Sequence, residues 1–327
     1  MKAHNLFLSA VAAMAMAGFV GRANADAWPT MPVHIIVAYP AGSATDTLAR
    51  QIGEKLTLRW KQAVVIENRP GAAETLATNA VVRAKSDGYT LLMATEVANE
   101  TNPFLFSKLS YNPETDLTPI TRLIDAPFVY VVRTDSPYHT LGQLVDAAKK
   151  QPDGVSYGST GPGASVHLAV NWFATVAGNV QFKHVPYRGL ILAVQDLLGG
   201  QIDFTIAPLS LVMPYIKDGK LRPLASTSAV RLRMLPDVPT ETELGYRDSV
   251  ISTMFQLSGP AKMPPELTNK IATDVSAVLK DPDFQAKNTE PFGYSVVAGT
   301  PAEFVQFLAI DREKQRARVK AANVRLD

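Results

Sequence analysis

Small residues and hydroxyls follow two of the predicted strands, at points where a helix begins. The apolar strand Val33–Tyr39 runs into Pro40–Asp46, and the strand Val155–Gly158 runs into Ser159–His167. At the carboxyl end of a parallel strand, the next helix presents unpaired N–H groups and a partial positive charge. Glycines let the backbone approach a ligand, and hydroxyls add hydrogen-bond donors. Both segments therefore predict a cradle for an anion such as a carboxylate.

In the first loop, Ser43 and Thr45 supply hydroxyls, and Asp46 could cap the helix or orient a bound water. The alternative is a simple capped turn between strand and helix, because glycine and serine are common at helix starts. The residues that we expect to contact a ligand here are Tyr39, Ala41, Gly42, Ser43, Thr45 and Asp46.

The second loop combines glycines, two hydroxyls before them, Ser165 in an N-cap-like position and His167 in the first helical turn. It lacks the spacing of a Walker loop, of G-x-G-x-x-G and of the G-x-S-x-G nucleophile elbow. His167 has a structural alternative, since a histidine in a first turn often serves only as a hydrogen-bonding residue. The expected contact residues are Ser159, Thr160, Gly161, Gly163, Ser165 and His167.

A third loop follows another strand and contains Tyr187 and Arg188. Tyr187 could stack on a ligand or hydrogen-bond to it, and Arg188 could pair with a second carboxylate. The alternative is an ordinary surface turn with a solvated arginine.

Other chemistries lack the necessary residues. The chain has no cysteine, which excludes disulfides and thiolate sites, and its five histidines show no metal-binding spacing. We expect no metal, no cofactor and no catalytic residue. The charged residues from Asp311 to Arg318 share a helix with Phe304 and Leu308, so the pattern predicts a solvated face.

Strands alternate with helical patterns along the chain, which predicts an α/β protein with mostly parallel sheets and right-handed crossovers. The predicted strands include Ala63–Ile66, Tyr89–Thr95, Phe128–Val132, Phe182–Val185, Phe204–Ala207, Leu221–Ser226 and Met254–Ser258. The length fits two sheets. No flexible linker separates them, so we expect two lobes joined by ordered strands and a hinge.

The N-terminus predicts export. Lys2 and His4 precede the apolar run Leu6–Val20 and the small-residue site Ala23–Ala25, the order of a secretory signal peptide (residues 1–25) cleaved near Ala25. A cut after Ala27 or an uncleaved anchor are the alternatives. Cleavage removes two basic residues and no acid, which takes the formal charge from +2 to zero. No basic stripe remains for nucleic acid or for an anionic membrane surface.

Many of these segments together resemble the Bug-type extracytoplasmic solute receptors of tripartite tricarboxylate transport systems. The resemblance covers nearly the whole mature chain, in segments that occur in the family's order: Tyr39–Gly42, Asn68–Ala72, Asp87–Leu92, Asn102–Pro103, Leu109–Pro113, Tyr157–Gly161, His184–Gly189, Asp196–Asp203 and Asp237–Thr240. It implies a two-lobe periplasmic-binding-protein fold (Venus flytrap, type II) with two crossover strands. We expect lobe 1 to comprise residues 26–126 and 251–327, and lobe 2 residues 127–250.

The sequence departs from the family pattern at several cleft positions. Ser43 stands where a second glycine is common, and Ala73 and Glu74 replace a Gly-Gly pair, with Glu74 adding a negative charge near the cleft. Ala207 and Pro208 replace an Asp-Asn pair and join the expected contact residues. Leu190 and Ile191 stand where a small residue usually follows the Tyr-Arg-Gly segment, and with Ala207 and Pro208 they make the second half of the cleft more apolar. They favour an aromatic or otherwise hydrophobic carboxylate over citrate or an acidic amino acid.

The resemblance also implies a function: a periplasmic, non-enzymatic and, we expect, monomeric receptor. It would close around a small organic carboxylate and present it to the membrane components of a tripartite tricarboxylate transporter. The alternatives are a ligand sensor that feeds a two-component kinase, and a serine hydrolase using Ser159 or Ser165 with His167. The hydrolase lacks an acid to orient the imidazole. A structural protein with an empty cleft is a further alternative.

Overall fold

The computed structural model describes residues 28–249 and 251–326. Lobe 1 begins with a parallel sheet in the order β2-β1-β3. The apolar residues of β1 and β3 are buried, as expected for central strands of a parallel sheet covered on both faces, whereas those of the edge strand β2 are only partly buried. The elements up to the first crossover strand are β1 (Val33–Val37), α1 (Ala44–Trp60), β2 (Val64–Asn68), α2 (Thr75–Val82), β3 (Thr90–Thr95), a π-helical turn (Val97–Thr101), α3 (Asn102–Leu105) and α4 (Pro113–Asp116).

Strand β4 (Leu117–Arg133) runs for 17 residues through both lobes. Lobe 2 follows, and its strands lie in the order β6-β5-β7-β4-β8. Its elements are α5 (Leu141–Lys150), β5 (Ser156–Ser159), α6 (Ser165–Val176), β6 (Lys183–Pro186), α7 (Leu190–Leu198), β7 (Phe204–Pro208), α8 (Leu209–Lys217), β8 (Leu221–Ser226) and a 3₁₀ turn (Arg247–Ser249).

The chain then returns to lobe 1 through β9, which lies between β3 and β4. The remaining elements are β9 (Ser252–Pro260), α9 (Pro265–Leu279), α10 (Pro282–Asn288), a 3₁₀ turn (Glu290–Phe292), β10 (Ser295–Val296) and α11 (Pro301–Ala322). Strand β4 pairs with β9 as far as Pro127 and with β7 from Phe128 onward. Strand β4 thus leaves the sheet of lobe 1 and joins that of lobe 2 without a break.

This architecture confirms the predicted two-lobe α/β fold. The prediction of β4 was too short, because it began at Phe128, whereas the strand starts at Leu117. The first half of the strand was missed because its apolar pattern is interrupted by Pro119, Arg122 and Asp125. They are tolerated because β4 pairs irregularly with β9, with register shifts next to Pro119 and Arg122.

The prediction that the charges of α11 form a solvated face was wrong for part of that helix. Asp311 is 8% exposed and Gln315 is 3% exposed. Gln315 Nε2 donates to Asp311 Oδ2 at 2.9 Å, and α11 packs on α6 of lobe 2. Their spacing of four residues places both on the buried side of α11.

No helix of the described residues is long and apolar enough to cross a membrane. The predicted signal peptide lies outside those residues.

Candidate functional site

The first loop is closed by bonds within its own lobe. Ser43 is the N-cap of α1, and its hydroxyl accepts from the Asp46 amide at 3.2 Å. The Asp46 carboxylate accepts from Gly42 N at 2.9 Å, Asn68 Nδ2 at 2.8 Å and Arg50 Nε at 3.1 Å. Burial opposes ionisation, but the bonds from Arg50, Gly42 and Asn68 outweigh it and hold the pKa of Asp46 below its usual value. The Asp46 carboxylate therefore has partners without a ligand.

This loop can donate hydrogen bonds to a ligand mainly through its backbone amides. The amides of Ala44 and Thr45 open α1, where helix geometry provides no partner. Ala41 and Gly42 are exposed, and Gly42 adopts φ +80°, a conformation that favours glycine. The Thr45 side chain is buried, and Tyr39 Oη lies 3.4 Å from Thr95 Oγ1 in the adjacent strand.

The second loop winds around Ser159, whose side chain is fully buried. Its hydroxyl accepts from Gly161 N at 3.0 Å and lies 2.6 Å from His184 Nε2. Gly161 and Gly163 adopt φ +113° and +76°. The loop therefore turns tightly over the end of β5, with Thr160 half-buried beside it.

Helix α6 begins one residue earlier than expected. Ala164 is the N-cap and provides no side-chain bond, so Ser165 is the first helical residue. Ser165 is 9% exposed, yet its hydroxyl makes no hydrogen bond of normal geometry with the described residues. It lies near Glu96 of lobe 1, where burial raises the pKa of the Glu96 carboxyl and the Ser165 hydroxyl opposes that shift. The Ser165 hydroxyl therefore interacts with the Glu96 carboxyl without a bond of normal geometry, and a ligand oxygen would compete with that carboxyl for it.

His167 is held in place by its own loop. Gly163 N donates to His167 Nδ1 at 3.2 Å, and the His167 ring lies 4.4 Å from that of His184. Burial, assisted by His184, lowers the pKa of His167 to about 3, so its imidazole is neutral at physiological pH. Sequence reasoning missed His184. It was included in the family segment His184–Gly189, and it lies in β6, where it pairs in register with Tyr157 of β5.

The third loop lies beside the second and faces the first. Tyr187 N donates to Ser159 O at 2.8 Å, and a Cβ added at Gly189 would lie 3.8 Å from Pro40 Cγ. Tyr187 Oη donates to Asp196 Oδ2 at 2.8 Å. Burial together with Asp196 raises the pKa of Tyr187 to about 12. Arg188 is exposed.

The remaining predicted contacts lie deeper. Ala207 and Pro208 end β7, are buried, and pair with Val129 and Phe128 of β4. They form part of the sheet next to the point where β4 passes between lobes. The structure thus brings the second and third loops together and places Gly189 of the third near Pro40 of the first, while Ala207 and Pro208 lie next to the point where β4 passes between the lobes.

The two lobes touch at this cleft. A Cβ added at Gly163 would lie 2.6 Å from Leu105 Cδ1 of lobe 1. At the other end, Ser210 Oγ of α8 lies 2.7 Å from Tyr294 Oη. The lobes are therefore in direct contact at two separate places.

Glu74 forms part of the lobe 1 wall. It is the N-cap of α2 with φ +69°, and it is 4% exposed. Its Oε2 accepts from Thr95 N at 3.1 Å, and its Oε1 accepts a bond from the Thr95 hydroxyl. Burial raises the pKa of Glu74 to about 7 against these bonds.

The hydrolase alternative named the wrong histidine. Ser159 is bonded to His184 instead of His167, and no carboxylate contacts His184 among residues 28–249 and 251–326. Because Ser159 is fully buried and already bonded to Gly161, its arrangement fits hydrogen bonding better than nucleophilic attack.

The chain is similar to known receptors over most of its length. Residues 48–324 match the model of the tripartite tricarboxylate transporter family receptor. BugT of Bordetella pertussis is 30% identical over 318 residues, which cover 96% of each chain. A protein encoded in the tcbD-tcbE intergenic region of Pseudomonas sp. strain P51 is 31% identical and covers 88% of this chain and 85% of its own.

Solved structures agree. The periplasmic binding protein BugD has a TM-score of 0.83 at 30% identity, covering 91% of this chain and 99% of its own. A protein of Rhodopseudomonas palustris with adipate has a TM-score of 0.86 at 29% identity, with 91% and 99% covered. MatC of the same organism, with bound malate, has a TM-score of 0.82 at 26% identity, with 89% and 100% covered. This chain belongs to the family of tripartite tricarboxylate transporter receptors.

Proposed function

We propose that this protein captures a small organic carboxylate between its lobes in the periplasm and presents it to the membrane components of a tripartite tricarboxylate transporter. The observation that carries this proposal is the start of α6, where no side chain caps the helix and the buried Ser165 hydroxyl makes no hydrogen bond of normal geometry with the described residues. The N–H groups at the starts of α1 and α6 and the Ser165 hydroxyl can donate hydrogen bonds to a carboxylate. The adipate and malate bound to two structural relatives are of the same chemical class.

In this mechanism, the amides at the start of α1 and the Ser165 hydroxyl with the amides of α6 bind the same carboxylate. The ligand favours the closed state because only that state offers both sets of contacts. Lobe 1 would comprise residues 26–126 and 251–327, and lobe 2 residues 127–250. The change in the pairing of β4, from β9 at Pro127 to β7 at Phe128, supports that division.

We infer an aromatic or otherwise hydrophobic carboxylate as the ligand. Ala207 and Pro208 present no charge, and Tyr187 keeps its hydroxyl on Asp196, which leaves its ring as a surface for an apolar body. No turnover is expected. Signalling to a sensor kinase would use the same closure, and the family match favours transport.

The test is a thermal-shift screen followed by calorimetry, using the chain without residues 1–25. Benzoate and its derivatives should raise the unfolding midpoint through mass action, and citrate should bind more weakly. A clear preference for citrate, or no response to any carboxylate, would contradict the proposal. Sedimentation of the same sample tests the expected monomer.

A further inference from the structure

Glu74 occupies a backbone conformation that favours glycine. Its φ is +69°, and Ala72 and Ala73 before it have φ of +47° and +48°. Left-handed backbone is unfavourable for residues with a Cβ, so the surroundings must hold these three in place. A glycine would fit the Glu74 position without that strain. The strained site therefore carries a carboxyl group that the backbone alone does not favour.

The Glu74 carboxyl lies at the carboxyl ends of the lobe 1 strands. Its oxygens accept from the amide and hydroxyl of Thr95, and the Tyr39 hydroxyl is a further neighbour. Thr95 ends β3, and Tyr39 follows β1, the adjacent parallel strand. The carboxyl ends of these strands form the cleft edge of lobe 1, and Tyr39 leads directly into the first loop. Glu74 therefore lies beside the segment expected to bind the ligand.

Among the described residues, the titratable groups around Glu74 can carry only negative charge. No cation contacts its carboxyl among the described residues, and the titratable groups around it are Tyr39, Tyr111 and Glu96. Burial, and to a smaller extent Glu96, raise the pKa of Glu74 to about 7, so the group becomes negative above neutral pH. Arg188, the cation of the third loop, is exposed. A second ligand carboxylate at this wall would meet repulsion without a counter-charge.

We propose that Glu74 is a specificity-determining residue that restricts the ligand to acids with one carboxylate and favours a hydrogen-bond donor at the ligand's other end. This inference rests on the proposed function. Two like charges a few ångströms apart in a partly buried site repel strongly enough to lower affinity about tenfold or more. A hydroxyl or amine on the ligand could instead donate to the Glu74 carboxylate.

The test is calorimetry at pH 8 with two matched series: benzoate, 4-hydroxybenzoate and terephthalate, and then hexanoate, 6-aminohexanoate and adipate. In the unmodified protein, each dicarboxylate should bind at least about tenfold more weakly than its monocarboxylate, and the donor-bearing acid should bind at least as tightly. Glu74→Gln should bring the dicarboxylates to within about threefold. At pH 5.5 the unmodified protein should approach that variant, because its own carboxyl is then protonated.

Glu241 provides the matched control. It is also buried, and burial raises its pKa to about 7, but its carboxyl accepts from Tyr130 and Ser249 inside lobe 2. Glu241→Gln should therefore leave the discrimination unchanged. Glu74→Gly, which suits the backbone at φ +69°, repeats the test if the glutamine variant folds poorly.

The outcomes separate the two proposals. Dicarboxylates that bind the unmodified protein as well as monocarboxylates overturn the role of Glu74 and leave carboxylate capture intact. A discrimination that survives in both Glu74 variants does the same. If no member of either series binds, capture of a carboxylate and the role of Glu74 fall together.

Discussion

The two cradle loops have the same sequence logic, a strand followed by small residues and a helix start, but they differ in what they leave unbonded. In the first loop, Ser43 caps α1 and the Asp46 carboxylate takes bonds from Gly42, Arg50 and Asn68. In the second, α6 has no side-chain cap and the buried Ser165 hydroxyl lacks a normal hydrogen bond. The first loop is thus stabilised from within, and the second retains capacity for a ligand.

We therefore expect side-chain substitutions in the two loops to affect different properties, stability in one case and ligand affinity in the other. Changes in the first loop should mainly lower stability, because its polar groups serve the fold. Changes at Gly163 and Ser165 of the second loop should mainly lower affinity, because Gly163 lies against Leu105 of the other lobe and the Ser165 hydroxyl has no normal hydrogen bond within the loop. Four variants test this contrast.

Gly163→Val should have the largest effect, lowering ligand affinity about a hundredfold or more. A Cβ at Gly163 would lie within 3 Å of two Leu105 methyl carbons, so the lobes could not meet as they do here. Calorimetry with a carboxylate found in the screen measures this. Gly219→Val introduces a Cβ at a similar φ of +67° into open space, and it should leave affinity unchanged. If Leu105→Ala restores none of the affinity lost in Gly163→Val, the contact is not the cause.

Asp46→Asn should lower the free energy of unfolding by about 2 kcal/mol at pH 7, since an amide cannot accept all the bonds that the carboxylate accepts. Because the folded-state pKa of Asp46 is lowered, its stabilisation is present above the unfolded-state pKa and is lost as the pH falls through the folded-state value. Denaturant titrations between pH 7 and pH 3 should therefore converge for the two proteins at acid pH. Equal stability at pH 7 would contradict this role.

Ser165→Ala should lower carboxylate affinity about tenfold, the usual size of one lost hydrogen bond to a charged group. The unfolding midpoint without ligand should not fall, because the variant removes a buried hydroxyl that has no normal bond. Calorimetry and thermal unfolding measure the two quantities on one sample. A lower midpoint with unchanged affinity would make Ser165 structural and break the contrast.

Ser43→Ala should have the smallest effect. In contrast to Ser165→Ala, it should lower stability and leave affinity nearly unchanged. Loss of the α1 cap should cost about 1 kcal/mol of stability. Affinity should stay within about threefold, because the first loop offers a ligand mainly backbone amides. Ser43→Asp retains an N-cap acceptor and serves as the control for the cap in denaturant unfolding. A large affinity loss in Ser43→Ala would place the hydroxyl on the ligand instead.

The α/β class, the alternation of strands and helices and the three candidate loops were readable from the sequence because apolar runs and turn residues report local structure directly. The family segments carried the two-lobe arrangement. Local patterns could not show that the strand beginning at Leu117 continues through Pro119 and Asp125, since irregular pairing with β9 compensates for these residues only in the folded chain.

Tertiary structure alone decided which polar groups find partners. Asp46 receives its bonds partly from Asn68, 22 residues away, and Ser159 lies against His184, 25 residues away. Asp311 and Gln315, which look solvated along the helix, are buried where α11 packs on α6. Residue types and spacing determine where a hydroxyl or carboxyl can stand. Whether it is satisfied, and what it can then bind, depends on elements brought together from distant parts of the chain.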